Sequence, residues 1–334
     1  MLYTVFADIV PPVVSDGIVY ASAMALLASG ITLIYMCTKT FNFAHASMAT
    51  WGLFVVYTGV SLYGGSPYNY LVLAFLFGSL LGIMNYLFVT GPLLRRNASE
   101  VTLMMSTLGY ELVLLSAVQI YADFLTKVYK LYPRLITMST YDFQVYGIKA
   151  SMILSLIIAL SILISLHLFL VKTKFGIAIR ATVENPDLAK IIGIDAEKVY
   201  ISSWILGGGL ASLGGAVAAL VVTGSPYMGW SLIVSMFAAS ILGGLYSVYG
   251  GILGGFVIGL AEYPGLYALS GIMGNWVLAY RPVVPLIIMV IALFIFPRGL
   301  AGIPWSTLLK TPPKETLRKA VETLTDKFRK NVKT

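Results

Sequence analysis

The chain has 334 residues, of which 58% are hydrophobic and only 11% are charged, and its mean hydropathy is +0.88. A soluble globular domain carries about 25% charged residues, so the composition excludes that class and predicts an all-α, polytopic membrane helix bundle. The net charge of +8 does not indicate nucleic-acid binding, because the basic residues concentrate in polar segments between apolar stretches. With one cysteine, and with two histidines 122 residues apart, we expect neither a disulfide framework nor a metal site.

Nine apolar stretches are candidates for membrane segments, since a helix that crosses the bilayer needs about 20 apolar residues. In chain order they cover residues 17–38, 43–63, 69–91, 101–122, 149–171, 200–222, 230–247, 250–270 and 276–297. We therefore expect eight or nine membrane segments, some of them broken or re-entrant.

The distribution of basic residues predicts the orientation of these segments. If the C-terminus lies in the cytoplasm and the segments alternate, 17 of the 22 Lys and Arg residues fall on the cytoplasmic side and 5 fall outside. An excess of Lys and Arg is typical of the cytoplasmic side. We expect a multi-pass protein of the cell (plasma or inner) membrane, with an external N-terminus and with the polar segment 172–199 in the cytoplasm.

Among the polar side chains in or beside the apolar stretches, four are candidates for a functional role: Asn42, His45, Glu111 and Glu262. A polar group at membrane depth needs a hydrogen-bond partner or a cavity. In one interpretation they are structural, with Asn42 capping the second segment and His45 bonding a carbonyl of a neighbouring helix. In the other they line a translocation pathway and meet a permeating solute.

The polar segment 172–199 predicts one short capped helix. Asn185 is a favourable N-cap, Pro186 suits the first helical position, and Gly193 can end the helix in a left-handed conformation. The apolar side chains of this helix share one face: Leu188, Ile191 and Ile192. Such a ridge is typical either of a helix that lies on lipid headgroups or of a docking helix for a soluble partner.

Glycine is concentrated in the second half of the chain, where residues 201–280 hold 17 of the 32 glycines. Gly251, Gly255 and Gly259 recur every four residues, a spacing that lets helix backbones approach closely in lipid. These glycines indicate tight helix packing, and smooth faces of this kind also suit helices that slide or rock.

The last segment, 303–334, is a basic tail. Within it, residues 314–331 place apolar side chains at helical spacing and crowd Lys and Arg on the other face. We expect an amphipathic cytoplasmic helix that lies on anionic lipid, with partner binding as the alternative.

Three motifs, in the expected order, resemble the branched-chain amino-acid (LIV-type) permease family of ABC importers. They are GITLIYMCTKTFNFAHASMATWG at 30–52, RATVENPDLAKIIGID at 180–195 and SILGGLYSVYGGILGGFVIGLAE at 240–262. The second is similar to the acidic-Ala-Ala-x3-Gly loop of importer permeases, with Leu188 where the general loop has alanine. The first has Ala46 where the family often has glycine. The resemblance covers about residues 17–302.

This resemblance implies a transmembrane permease domain at 1–302 whose loop 172–199 couples to a cytoplasmic ATPase. The residues that it assigns to ATPase coupling are Glu184, Asn185, Pro186, Asp187, Leu188, Ala189, Ile192 and Gly193. It implies a second permease subunit, homologous or identical, two cytoplasmic ABC ATPase subunits and an external solute-binding protein. The chain has no G-x-x-x-x-G-K-[ST] phosphate loop, so ATP and Mg²⁺ are expected in the ATPase. We expect no cofactor in this chain and no enzyme activity.

The resemblance predicts a permease that translocates branched-chain or similar small amino acids by alternating access. One alternative is an ion-gradient-driven secondary transporter of a small polar solute, with Glu111 and Glu262 as carriers, although it does not explain the capped helix. Another is an ABC importer for urea or short amides. An intramembrane enzyme would need a catalytic dyad or a metal site at depth, and the sequence offers neither.

Overall fold

A computed structural model describes residues 10–145, 147–295 and 299–302. In chain order the helices are α1 (Pro12–Thr38), α2 (His45–Tyr63), α3 (Leu71–Asn85), α4 (Gly91–Arg95), α5 (Glu100–Tyr129), α6 (Ala150–Lys172), α7 (Lys174–Glu184), α8 (Pro186–Ile191), α9 (Ala196–Ala218), α10 (Met228–Gly243), α11 (Val248–Leu260), α12 (Leu266–Met273) and α13 (Val283–Ile295). Two short strands, β1 (Gln144–Val145) and β2 (Ile148–Lys149), pair antiparallel before α6. The predicted all-α membrane bundle is confirmed.

Six helical stretches are long and apolar enough to cross a membrane: Pro12–Thr38, Pro67–Arg95, Glu100–Tyr129, Ala150–Lys172, Ala196–Ala218 and Val248–Met273. Helices α10 and α13 are apolar but have only 16 and 13 residues. Helix α2 has 19 residues and coincides with the predicted segment 43–63. The described residues therefore do not confirm the predicted count of eight or nine spans.

Helix α1 lies at the centre of the bundle, where 94% of its most apolar window is buried. It runs antiparallel to α9, because Gly207 of α9 faces Ile34 of α1 whereas Gly214 faces Leu27. Apolar character alone does not explain this burial, since the most apolar window of α6 is only 22% buried. Helix α1 is buried because other helices of the bundle pack closely around it.

The other neighbour of α1 is α11, which also runs antiparallel to it. The three glycines predicted to pack, Gly251, Gly255 and Gly259, all face α1, and a Cβ atom at any of them would collide with that helix. The facing residues on α1 are Thr32, Ala25 and Ala21, in that order.

Helix α9 makes similarly close contacts with α2 and α3. A Cβ atom on Gly52 of α2 would collide with the carbonyl of Ser212, and one on Gly82 of α3 would collide with the carbonyl of Trp204. Gly208 of α9 likewise faces the backbone of α3. Because no side chain separates these helices, their relative positions are defined by backbone contact.

Helix α2 begins inside the bundle rather than at one end of it. Lys39 ends α1 with a left-handed φ of 53°, and residues 40–44 are not helical. The first residue of α2, His45, lies 3.0 Å from the carbonyl oxygen of Leu27, near the midpoint of α1. The chain therefore returns along α1 before α2 starts, and its backbone groups there need partners from neighbouring helices.

The predicted amphipathic tail at 303–334 lies outside the described residues. The proposed division into a membrane domain at 1–302 and a tail therefore stays a prediction.

Replacement of Gly255 by alanine tests the backbone contact between α1 and α11. We expect Gly255→Ala to destabilise the protein by about 1–3 kcal/mol, because the new methyl group would overlap the backbone of Ala25. The matched control is Gly271→Ala in α12, where no described atom lies within 4 Å of the new Cβ atom. Thermal unfolding in detergent measures both variants. Equal destabilisation of the two would contradict the packing described here.

Candidate functional site

The polar segment between α7 and α9 forms the short helix α8, whose two ends are capped by its own residues. The side-chain oxygen of Asn185 accepts hydrogen bonds from the amides of Asp187 (3.1 Å) and Leu188 (3.0 Å). At the other end Gly193 has a φ of +86°, and its amide donates to the carbonyl of Lys190 (3.0 Å). A residue other than glycine would be strained at that φ, so the sequence specifies where α8 ends.

Three apolar side chains of this segment face outward and form what we term the apolar ridge: Leu188, Ile191 and Ile192. Their exposed fractions are 56%, 80% and 66%, whereas Ala189 on the opposite side is only 1% exposed. Two acidic residues beside the ridge are exposed as well: Glu184 and Asp187. Exposed apolar side chains that are rimmed by charged residues are typical of a surface that a partner covers.

The connection from α8 to α9 is held by side chains at the start of α9. Asp195 is the N-cap of α9 and accepts hydrogen bonds from the amides of Glu197 (3.1 Å) and Lys198 (3.3 Å). The hydrogen bonds from the Lys198 amide and side chain lower the pKa of Asp195 below its ordinary value. The cap is therefore ionised at neutral pH, and its stabilising effect is lost as the pH falls through this lowered pKa. Glu197 also pairs with Arg95 at the end of α4.

A second site lies at the start of α2, where Glu111 of α5 caps the helix. Glu111 is 1% exposed, and its carboxylate accepts hydrogen bonds from the Ser47 amide (3.0 Å) and the Ser47 hydroxyl (2.7 Å). The N-cap residue of α2, Ala44, has no side-chain hydrogen bond to offer. The expectation that Asn42 caps this helix is therefore wrong. A carboxylate at a helix N-terminus is favoured because the helix dipole is positive there.

Asn42 instead joins a chain of buried amides and hydroxyls. Its Oδ1 atom accepts a hydrogen bond from Asn85 (3.4 Å), and Asn85 accepts one from Thr90 (3.1 Å). All three residues have no exposed surface. Thr90 belongs to a π-helical turn, Tyr86–Thr90, that continues α3.

Thr107 of α5 holds the non-helical run before α2. Its hydroxyl accepts a hydrogen bond from the Phe43 amide (3.2 Å), and its single proton lies between two carbonyl acceptors, Met104 of α5 (2.8 Å) and Phe41 of the run (3.1 Å). The backbone groups that the run leaves unpaired inside the bundle are thus partly satisfied by α5.

His45 bonds a carbonyl of a neighbouring helix, as the first interpretation of this residue predicts. Its Nε2 atom donates to the Leu27 carbonyl of α1 at 3.0 Å, and the ring is fully buried. Gly30 makes room for the ring, since a Cβ atom there would lie 2.8 Å from Cε1 of His45.

The structure brings three of the four predicted pathway residues together and leaves one elsewhere. Asn42, His45 and Glu111 surround the N-terminus of α2, a cluster that we term the α2 start site. Glu262 instead faces Tyr20 in the N-terminal half of α1, where its Oε1 atom accepts hydrogen bonds from the Tyr20 hydroxyl (2.9 Å) and from Nε of Arg281 (3.0 Å).

Sequence reasoning missed several residues that complete these clusters. Thr107 gave no signal, because its partners are distant along the chain. Arg281 is visible as a charge inside the apolar stretch 276–297, but only the structure shows that it pairs with Glu262. Asn85 carried a usable signal, since it is an amide inside the apolar stretch 69–91. Within the described residues there is no group of three or more His, Cys, Asp or Glu side chains that could hold a metal ion.

Substitution of Glu111 tests its role as the cap of α2. We expect Glu111→Leu to destabilise the protein by about 1–3 kcal/mol, because the Ser47 amide is left buried without an acceptor. Glu111→Gln keeps an acceptor and should be milder. The control is Glu100→Gln, an exposed residue at the start of the same helix. Thermal unfolding measures all three variants, and a Glu111→Leu protein as stable as the control would refute the cap.

Comparison with known proteins places this architecture in a family. The family model described as "Branched-chain amino acid transport system / permease component" matches residues 13–293. A probable branched-chain amino acid transport permease protein of Methanocaldococcus jannaschii is 39% identical over 296 residues, which are 89% of this chain and 94% of that protein. A high-affinity branched-chain amino acid transport system permease protein of Pseudomonas aeruginosa is 25% identical over 303 residues, with 86% of this chain and 94% of that protein covered.

A solved structure, PsaBC from Streptococcus pneumoniae in complex with Fab, covers 86% of this chain and 93% of its own at 14% identity. Its TM-score of 0.47 is too low to support a conclusion. The family match and the archaeal relative together cover most of the chain. The chain is therefore a multi-pass membrane transport component and not an enzyme, and it belongs to the family of branched-chain amino acid transport system permeases.

Proposed function

We propose that this chain is the membrane-spanning permease subunit of an ATP-driven ABC importer for branched-chain or similar small amino acids. The relatives named above carry branched-chain amino acid transport in their names. The structural observation that carries the proposal is the apolar ridge on the capped helix α8. This ridge has no covering element among the described residues, and in the proposed complex it is the surface of a coupling helix that an ATPase subunit covers.

The caps of α8 give this coupling helix a fixed shape. Hydrogen bonds within its own segment cap both ends of α8, and these caps favour movement of α8 as a rigid unit. Exposed charged residues border the ridge, with Glu184 on α7 and an ion pair of Asp187 with Lys190 (3.6 Å) on α8, and charges beside an apolar surface favour a specific docking orientation.

Helix α9 would carry the motion of α8 into the membrane. It begins at Ala196, five residues after α8 ends, and the cap at Asp195 makes the connection stiff. Its glycines touch the backbones of α1, α2 and α3 directly. Because α9 meets α2 and α3 backbone to backbone, a displacement of α9 toward either helix would be passed on to it. Closure of the ATPase pair would in this way switch the pathway between a state open to the outside and a state open to the cytoplasm.

The α2 start site is closed in this conformation. Asn42, His45 and Glu111 bond to protein groups and have at most 1% exposed surface, which favours a packing role over direct contact with solute. The ion-driven alternative is not supported, since Glu111 caps a helix and the chain belongs to a permease family.

The proposed complex contains a second permease subunit, identical or homologous, and two ATPase subunits that hold ATP and Mg²⁺. The most apolar windows of α5 and α6 are only 28% and 22% buried, which leaves apolar faces for lipid or for the second permease. An external solute-binding protein would dock on the loop between α5 and α6. That loop is held in place by hydrogen bonds from Tyr68 to Asp142 (2.9 Å) and from Arg134 to Asp123 (2.7 Å).

Polar substitution of the ridge tests the coupling role. We expect Leu188→Asn combined with Ile191→Asn to reduce retention of the cognate ATPase about tenfold or more in a pull-down from solubilised membranes, because each exposed side chain loses its apolar contact. ATP-driven uptake of leucine by the reconstituted complex should fall in parallel. The substitutions should leave the fold intact, since both side chains are exposed.

The matched control for the ridge is Ile177→Asn in α7. Ile177 is 51% exposed and lies on the preceding helix, but outside the ridge. ATPase retention by this control should stay at the wild-type level. Equal loss in the control, or full retention in the ridge variant, would contradict coupling through α8.

Labelling of single cysteines tests the proposed orientation, in which the N-terminus is external and α8 is cytoplasmic. In a Cys37→Ser background we expect a membrane-impermeant maleimide to label Asp123→Cys in intact cells. Glu184→Cys should be labelled only after the membrane is permeabilised, because it lies in the cytoplasmic loop. Both positions are exposed. The reverse pattern would overturn the orientation and with it the contact between α8 and an ATPase.

A further inference from the structure

Helix α10 begins inside the bundle, beside the start of α2. Gly229, in the first turn of α10, donates its amide proton to the hydroxyl of Thr50 (3.0 Å), and a Cβ atom on Gly229 would collide with the carbonyl oxygen of Ala46. Ala46 directly follows His45, which bonds α1 near its midpoint. The non-helical residues 219–227, which we term the α10 entry segment, therefore lead from the end of α9 to the depth at which α2 starts.

The α10 entry segment is only partly covered by the rest of the chain. Gly224 lies against Leu53, about two turns into α2, and it exchanges two backbone hydrogen bonds with Ile136 of the loop between α5 and α6 (2.8 Å each). Thr223 and Tyr227 on its other side are exposed. Backbone that is not helical cannot face lipid at this depth, so it must be covered by protein or line a water-filled cavity.

A single exposed face runs along α10 from this segment. Helix α10 has 16 residues and is therefore about 24 Å long, which is less than the hydrocarbon thickness of about 30 Å. Side chains with exposed or half-buried surface recur along it every three or four residues, and all its other residues are buried. We term this face the α10 stripe: Tyr227, Trp230, Ser231, Val234, Phe237 and Ile241.

The non-helical run before α2 extends the α10 stripe sideways. The ring of Phe237 lies 5.2 Å from that of Phe43 and 5.7 Å from that of Phe41, edge to face in both pairs. Phe41 and Phe43 are themselves half-buried. The stripe and the two non-helical segments therefore form one continuous surface, and each of the two segments precedes a helix that begins inside the bundle.

We infer that this surface is where the second permease subunit packs, an inference that rests on the proposed import function. Lipid could cover the aromatic and aliphatic side chains but could not pair with the backbone of the α10 entry segment. Water could pair with that backbone but would leave Trp230, Val234 and Phe237 without apolar contact. A protein surface does both, and the α10 stripe is free of charge and rich in aromatic residues, as the cores of protein interfaces are.

Helix α6 offers the contrasting surface. It is an unbroken helix of 23 residues, so its backbone hydrogen bonds are satisfied within the helix. Its exposed side chains include Ile157 (53% exposed) and Ile164 (58%). This face meets the requirements for contact with lipid, and it supplies matched controls for the α10 stripe.

Photo-crosslinking tests which surface meets the second subunit. We replace Trp230 or Phe237 by p-benzoylphenylalanine, irradiate membranes that hold the full complex, and determine the masses of the purified adducts. We expect both positions to give a covalent adduct between two permease subunits. Ile157→p-benzoylphenylalanine in α6 is the control and should give adducts with lipid but none between permeases.

Alanine substitution measures the same contact without a crosslinker. Tyr227 and Trp230 are 54% and 43% exposed, so their joint replacement by alanine should leave the fold intact. We expect Tyr227→Ala with Trp230→Ala to lower retention of a differently tagged second permease about tenfold in a pull-down, because large aromatic side chains carry much of the energy of an interface. Ile157→Ala with Ile164→Ala should retain the second permease at the wild-type level.

Two results would overturn the assignment. One is adducts with lipid alone from Trp230 and Phe237, and the other is a permease adduct from Ile157 with none from the α10 stripe. ATP-driven leucine uptake by the wild-type complex, measured in parallel, separates the two proposals. Uptake without an adduct at the stripe refutes this surface alone, whereas an adduct without uptake refutes the import function and leaves the surface standing.

Discussion

Helix α9 meets three neighbouring helices through its backbone, and the rest of the bundle depends on these contacts. In lipid there is no hydrophobic driving force between helices, so association comes from close van der Waals contact and from interhelical hydrogen bonds. Gly208 and Gly215 of α9 bring α3 and α2 to within contact of its main chain, and Gly207 does the same for α1. The position of α1 in turn determines where α11 packs, through Gly255.

Helix α2 begins inside this closely packed bundle, so the backbone groups just before it have no access to water. The run before it leaves backbone donors and acceptors at depth, where water cannot satisfy them. Glu111 and Thr107 of α5 supply partners for the start of α2 and for this run. His45 ties the same point to α1. Helix α5 is mostly exposed along its most apolar window. Its hydrogen bonds to the non-helical run before α2 and to the start of α2 therefore help to hold it to the core.

The two ends of the bundle differ in chemistry. At one end α8 carries exposed apolar side chains on a rigidly capped helix, which suits a protein partner. At the other end Glu262 and Arg281 form a largely buried ion pair that the Tyr20 hydroxyl joins. The central helices α1 and α9 run between these ends.

The sequence by itself determined the features that depend on neighbours along the chain. Composition specified a membrane helix bundle, Asn185 and Gly193 specified the ends of α8, and the spacing of Gly251, Gly255 and Gly259 specified a face for close packing. Only the tertiary structure decided which polar groups meet. Asn42 was a candidate cap for α2, but Glu111 caps that helix from 64 residues away, and Glu262 pairs with Arg281 on the far side of α12. The physical reason is that a buried polar group takes whichever partner packing brings within 3 Å or so, and that distance is set by helix contacts that local sequence does not encode.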